Sequence, residues 1–135
     1  METHPLTASV LQDDIVLIII QGNVTEDRLP LLREDIEKGT ALLQEESQRV
    51  LHPLRVLVDL SNLNDTYSPE ALLLLADFEK KNRSYVERTI CFGADIKIRF
   101  AGEIISALSN RENISFFDTK EEALASLKSD ASQSR

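Results

Sequence analysis

The stretch VLVDLSNLNDTYSPEALLLLADF, Val56 to Phe78, decides how the chain folds. An apolar run ends on Asp59, a polar, turn-prone segment follows, and Ala71 to Leu75 is apolar without a break. RVLVDL has the β-branched, uninterrupted character of a strand covered on both faces. SPEALLLLADFEKKN has the marks of a helix: Ser68 is the candidate N-cap, Pro69 occupies the first helical position, and Glu70 suits the positive end of the dipole. Ala71, Leu74, Leu75 and Phe78 form its inward stripe, and Lys80 and Lys81 suit its C-terminal end. Leu72 and Leu73 point away from that stripe. They need a cover, for which a neighbouring helix, a second copy of the chain and a ligand are the candidates.

The same alternation extends in both directions. IVLIIIQG, Ile15 to Gly22, is a second continuous β-branched strand, and TASVLQDD before it is a candidate partner in an antiparallel hairpin turning at Asp13 and Asp14. After Gly22, Thr25 is a candidate N-cap for a long helix carrying Leu29, Leu32, Ile36 and Leu43 on one face, with Pro30 in its first turn. Gly39 is expected to weaken or bend that helix. Past Phe78, ERTICFGA is a strand closed by Gly93, and Ile98, Ala101, Ile104, Ile105 and Leu108 mark a further amphipathic helix. ISFFDT is a last strand and KEEALASLK a short last helix capped by Asp118 or Thr119, with SDASQSR expected to fray. The expectation is an α/β domain spanning 1–135, with an ordered core from about residue 8 to 128. It has a four- or five-stranded, mostly parallel sheet, a candidate N-terminal antiparallel hairpin and about four helices.

Charge and composition narrow the function. The chain of 135 residues carries a net charge of -8, which opposes a dedicated nucleic-acid binder, since such a protein needs a cationic surface to replace counterions. The charge is unevenly placed: residues 1–48 hold ten acids against three bases, whereas residues 80–99 hold six bases against two acids. Lys80, Lys81, Arg83, Arg88, Lys97 and Arg99 are therefore a candidate basic patch for an anion or an acidic partner, or simply a solvated face. METHPLTASV lacks the basic end and apolar core of a signal peptide, and IVLIII is too short to span a bilayer. A cytoplasmic protein without stable membrane insertion is expected. The single cysteine, Cys91, lies between Ile90 and Phe92 as a buried small hydrophobe would, and neither His4 nor His52 has a metal-ligand spacing. No nucleophile with a base, metal cluster or phosphate loop is recognisable; the glycines of FGADIKIRFAG have the wrong spacing. No catalysis and no cofactor are expected.

VLVDLSNL with its polar turn and Leu-rich helix, then FGA, ISFFDT and EEALASL, resembles the STAS superfamily of sulfate-transporter and anti-sigma-factor-antagonist domains. The resemblance is nearer to the SpoIIAA-like branch of small stand-alone proteins and covers about Ile15 to Leu127. In the antagonist members a strand ending in an Asp-Leu-Ser-like stretch leads to Asp-Ser-Ser-Gly or Asp-Ser-Thr-Gly at a helix start, where the serine is phosphorylated by a partner kinase. That serine falls on Ser68. Tyr67 replaces the preceding acid, and Pro69 stands where a second hydroxyl residue is usual. The resemblance implies a non-catalytic regulatory module of signalling with a protein partner, and the surplus Leu72 and Leu73 are the candidate homodimer contact. It makes Ser68 and Thr66 phospho-switch candidates, and Asp59, Ser61, Asn62, Asp65 and Tyr67 a binding loop. The branch is also similar in architecture to lipid-binding Sec14-type domains, which implies a small anionic or lipid ligand as the alternative.

Overall fold

The computed structural model describes residues 4–12, 14–95, 99, 101–102 and 114–133, the side chains of 65, 66 and 129–133 excepted. The run from Ile15 to Ile20 forms β2, at whose N-terminal side β1 (Leu6–Gln12) returns antiparallel, so that Leu6 opposes Ile20. On its other side β2 pairs in parallel with β4 (Leu54–Asp59), which pairs with β6 (Val86–Phe92), which pairs with β7 (Ile114–Phe117). The sheet order is β1-β2-β4-β6-β7, a mostly parallel five-stranded sheet with an antiparallel N-terminal hairpin.

Both faces of this sheet are covered, which is why its central strands read as unbroken apolar runs. Val16, Ile18, Val56, Val58 and Cys91 pack on one face, beneath α1 (Leu29–Val50) and α2 (Pro69–Lys81). Their neighbours in sequence, Ile15, Leu57, Ile90 and Phe92, pack on the other against Ala123 and Leu127 of the last helix, here α3 (Lys120–Gln133). Each of these fully buried aliphatic side chains contributes roughly 1.5–3 kcal/mol relative to exposure.

Several expectations need correction. Three α-helices are described over their whole length; of the helix expected around Ile98, Ala101, Ile104, Ile105 and Leu108, only Arg99, Ala101 and Gly102 are described, and these three are helical. Gly39 does not interrupt α1, which runs from Leu29 to Val50. Its missing side chain instead admits the Phe78 ring of α2, which a Cβ at residue 39 would meet at 3.3 Å. Thr25 caps no amide; its hydroxyl bonds to Asp27 within a short turn, Glu26–Arg28, that precedes α1. Thr119 does cap α3: its hydroxyl accepts from Glu122 N at 3.2 Å and Glu122 Oε1 accepts from Thr119 N at 3.3 Å, a reciprocal capping box. Helix α3 runs to Gln133, with no Gly or Pro after Lys120 to stop it.

Arg55 fastens α3 to the sheet. It donates to Leu127 O at 2.8 Å and to Asp14 Oδ1 at 2.7 Å. Burial pushes the Asp14 carboxyl up, but the hydrogen bond and charge of Arg55 outweigh it and hold the group below the ordinary carboxylate value. A depressed folded-state pKa adds stability above the unfolded value, near 3.8, and loses it as pH falls through the folded one. The stability gap between the native protein and an Asp14→Asn variant should therefore be widest at neutral pH and close below about pH 4, as read from urea titrations across the acid range.

Candidate functional site at the carboxyl edge

The parallel strands end together at one edge, where open α/β sheets place their ligands and contacts. Asp59 closes β4, and its Oδ1 accepts from Ser61 N at 2.9 Å. Leu60 N donates to Phe92 O at 2.9 Å and Gly93 N to Phe117 O at 3.3 Å, so the ends of β4, β6 and β7 are tied edge to edge. Gly93 has a φ of 83° and lies so close against Ser61 that a Cβ at residue 93 would meet Ser61 N at 2.8 Å.

The segment after Ser61 is not the open polar loop its composition suggests. Leu63–Tyr67 is strand β5, paired in parallel with β3 (Gly22–Val24) as a separate two-stranded sheet. Gly22 N donates to Asn62 O at 2.9 Å, Ser68 N to Val24 O at 2.9 Å, and Asn64 Nδ2 to Asn23 Oδ1 at 2.8 Å. Polar residues conceal the strand because Leu63 and Tyr67 are half-buried while Ser61, Asn62 and Asn64 face out. Asp65 and Thr66 lie on β5 with side chains outside the description.

Ser68 is the N-cap of α2, as its position before Pro69 predicts. Its Oγ accepts from Ala71 N at 3.0 Å, and the residue is 8% exposed. A Ser68→Ala change should lower the unfolding free energy by about 1 kcal/mol, measured by denaturant titration, because the Ala71 amide loses its partner.

Helix α2 separates the two surplus leucines. Leu73 is 58% exposed on the outer face, whereas Leu72 is half-buried and turns toward the sheet. Beneath α2 lies a cavity of about 100 Å³. Ile18, Val58 and Cys91 form part of its sheet-side wall, Leu63 and Tyr67 come from β5, and Leu72, Leu75 and Glu79 come from α2. Burial, and then the negative charge of Glu79, push the Cys91 thiol above its ordinary range, so it stays protonated. Glu79 was not singled out from the sequence, although it continues the Leu72, Leu75 spacing down the same side of the helix.

The basic residues are placed on several elements. Lys80, Lys81 and Arg83 are exposed at and just after the end of α2, where Lys81 pairs with Asp77 at 3.1 Å. Arg88 on β6 donates to Ser115 on β7 at 3.1 Å, and Arg99 pairs with Asp118. Lys97 lies outside the described residues. Among the described residues no helix is long and apolar enough to cross a membrane.

These elements define a SpoIIAA-like fold. Among solved structures, the chain is similar to an uncharacterized protein of the DUF3478 family with a SpoIIAA-like fold from Shewanella loihica PV-4. That match has a TM-score of 0.60 and 23% identity over 89% of this chain and 90% of the other. It is similar to the Bacillus cell fate determinant SpoIIAA in its phosphorylated form, with a TM-score of 0.56 and 14% identity over 90% and 98% of the two chains. A third likeness, to the protein TM1081, has a TM-score of 0.50 and 14% identity over 95% and 90%. No family model and no curated protein matches the sequence.

Proposed function

We propose that the protein is a non-catalytic, cytoplasmic regulatory module that binds a protein partner across the outer face of α2 and the adjoining carboxyl edge. The observation that carries this is Leu73, 58% exposed in the middle of a helix face otherwise made of Pro69, Glu70, Asp77, Lys80 and Lys81. An apolar anchor ringed by charge is the arrangement of a docking centre with a polar rim. The fold likeness to SpoIIAA, a cell fate determinant seen in a phosphorylated form, supports a regulatory reading. Ser68 is the switch position under this reading. Because its hydroxyl is buried in the cap, phosphorylation there adds about two negative charges only by opening the start of α2, so it acts by remodelling the docking face.

The test is affinity capture with the full chain from its own cells, comparing Leu73→Glu with Leu51→Glu, which alters a residue 86% exposed at the end of α1. The proposal predicts one stoichiometric partner, a second copy of the chain included, retained by Leu51→Glu and reduced at least tenfold by Leu73→Glu. Equal capture by both variants contradicts it.

A further inference from the structure

Asn82 ends α2 and is only 2% exposed. Its Nδ2 donates to Phe78 O at 2.9 Å and to Thr40 Oγ1 on α1 at 3.2 Å. These contacts fix which way the amide faces, because turning it over would set its oxygen against the Phe78 carbonyl. Oδ1 is thereby held in the interior with no hydrogen-bond partner among the described residues. Native proteins seldom leave a buried acceptor in that condition, and each instance calls for a physical account.

The account lies in the space that Asn82 borders. It measures about 10 Å³, room for about one water molecule, and Leu43 of α1, Phe78 of α2 and Val56 of β4 are among its buried apolar walls. Thr89 of β6, also 2% exposed, borders it too. The Thr89 hydroxyl carries one donor and two lone pairs, so it can join a water whatever else it contacts. Two polar partners suffice to hold a buried water, and a space this small keeps its occupant within reach of both. Glu79 lines the same space, but the site does not depend on it. We infer that one water molecule is a fixed part of this fold, donating to Asn82 Oδ1 and hydrogen-bonded to the Thr89 hydroxyl. It ties the C-terminal end of α2 to β6, as Asn82 Nδ2 ties it to α1. This goes beyond the partner-binding proposal and stands without it, because it concerns the buried side of α2 whereas Leu73 lies on the exposed one.

The experiment is a high-resolution crystal structure of the full chain beside one of Thr89→Val, in which a methyl group replaces the hydroxyl at nearly the same volume. In the native protein a single discrete water is expected about 2.7–3.0 Å from both Asn82 Oδ1 and Thr89 Oγ1. In Thr89→Val that water is expected to be lost. The unfolding equilibrium constant of the variant should rise about tenfold in urea titrations, because Asn82 Oδ1 is then buried without a donor. No water at that position in the native protein, or a direct hydrogen bond from Thr89 to Asn82 in its place, overturns the inference. So does a water that persists unchanged in Thr89→Val. Should that variant not fold, the native structure decides the matter alone.

Discussion

Gly93→Ala is expected to lower the unfolding free energy by about 3 kcal/mol or more, the largest loss from adding one methyl group at the carboxyl edge. Two effects combine. At a φ of 83° an alanine carries about 1–2 kcal/mol of left-handed strain. Its Cβ would also stand 2.5 Å from Ser61 Oγ, 2.8 Å from Ser61 N and 2.9 Å from Ser61 Cα. The hydroxyl can rotate away, but the backbone atoms cannot move without pulling the β4–β5 turn off the end of β6. Combining Gly93→Ala with Ser61→Gly should therefore recover little of the loss in urea titrations at constant slope. A loss below about 1 kcal/mol for the single variant, or full recovery in the double one, would show that the turn yields easily.

The second large effect is expected at the start of β1, beside the carboxyl end of β2. Asp35 is 4% exposed on α1; its Oδ1 is 2.7 Å from His4 Nδ1, and its Oδ2 accepts from Leu6 N at 3.2 Å. Asp35→Ala leaves the amide of the buried Leu6 without this partner and frees the start of β1, which predicts a loss of about 2–3 kcal/mol. Asp35→Asn keeps an acceptor and should lose less. His4→Ala removes a half-exposed partner and should lose under about 1 kcal/mol. Equal losses from Asp35→Ala and His4→Ala would mean that the Leu6 amide contributes nothing.

Sequence patterning revealed the strands whose two faces are both buried, because Val56–Val58 and Ile15–Ile20 have no polar residue to mislead. It also located the cap at Ser68 and narrowed that of the last helix to Asp118 or Thr119, since a cap depends on a side chain acting within three residues of itself. Strand β5 escaped notice because its partner, β3, is three residues long and distant in sequence, and its outward side chains are those of a turn. Leu72 and Leu73 were paired as surplus apolar residues, yet a single residue step turns a helix by about 100°, which places one over the cavity and the other in solvent. The steric fit of Gly93 against Ser61 depends on two chain segments meeting, so no local pattern records it.

The central claim is that this SpoIIAA-like fold works through a partner held on the outer face of α2. The most direct measurement is native mass spectrometry of the protein taken from its own cells, beside the Leu73→Glu variant prepared identically. The account predicts a discrete complex with a second polypeptide in the native protein and its loss in the variant. A bare monomer in both, or an identical complex in both, would contradict it.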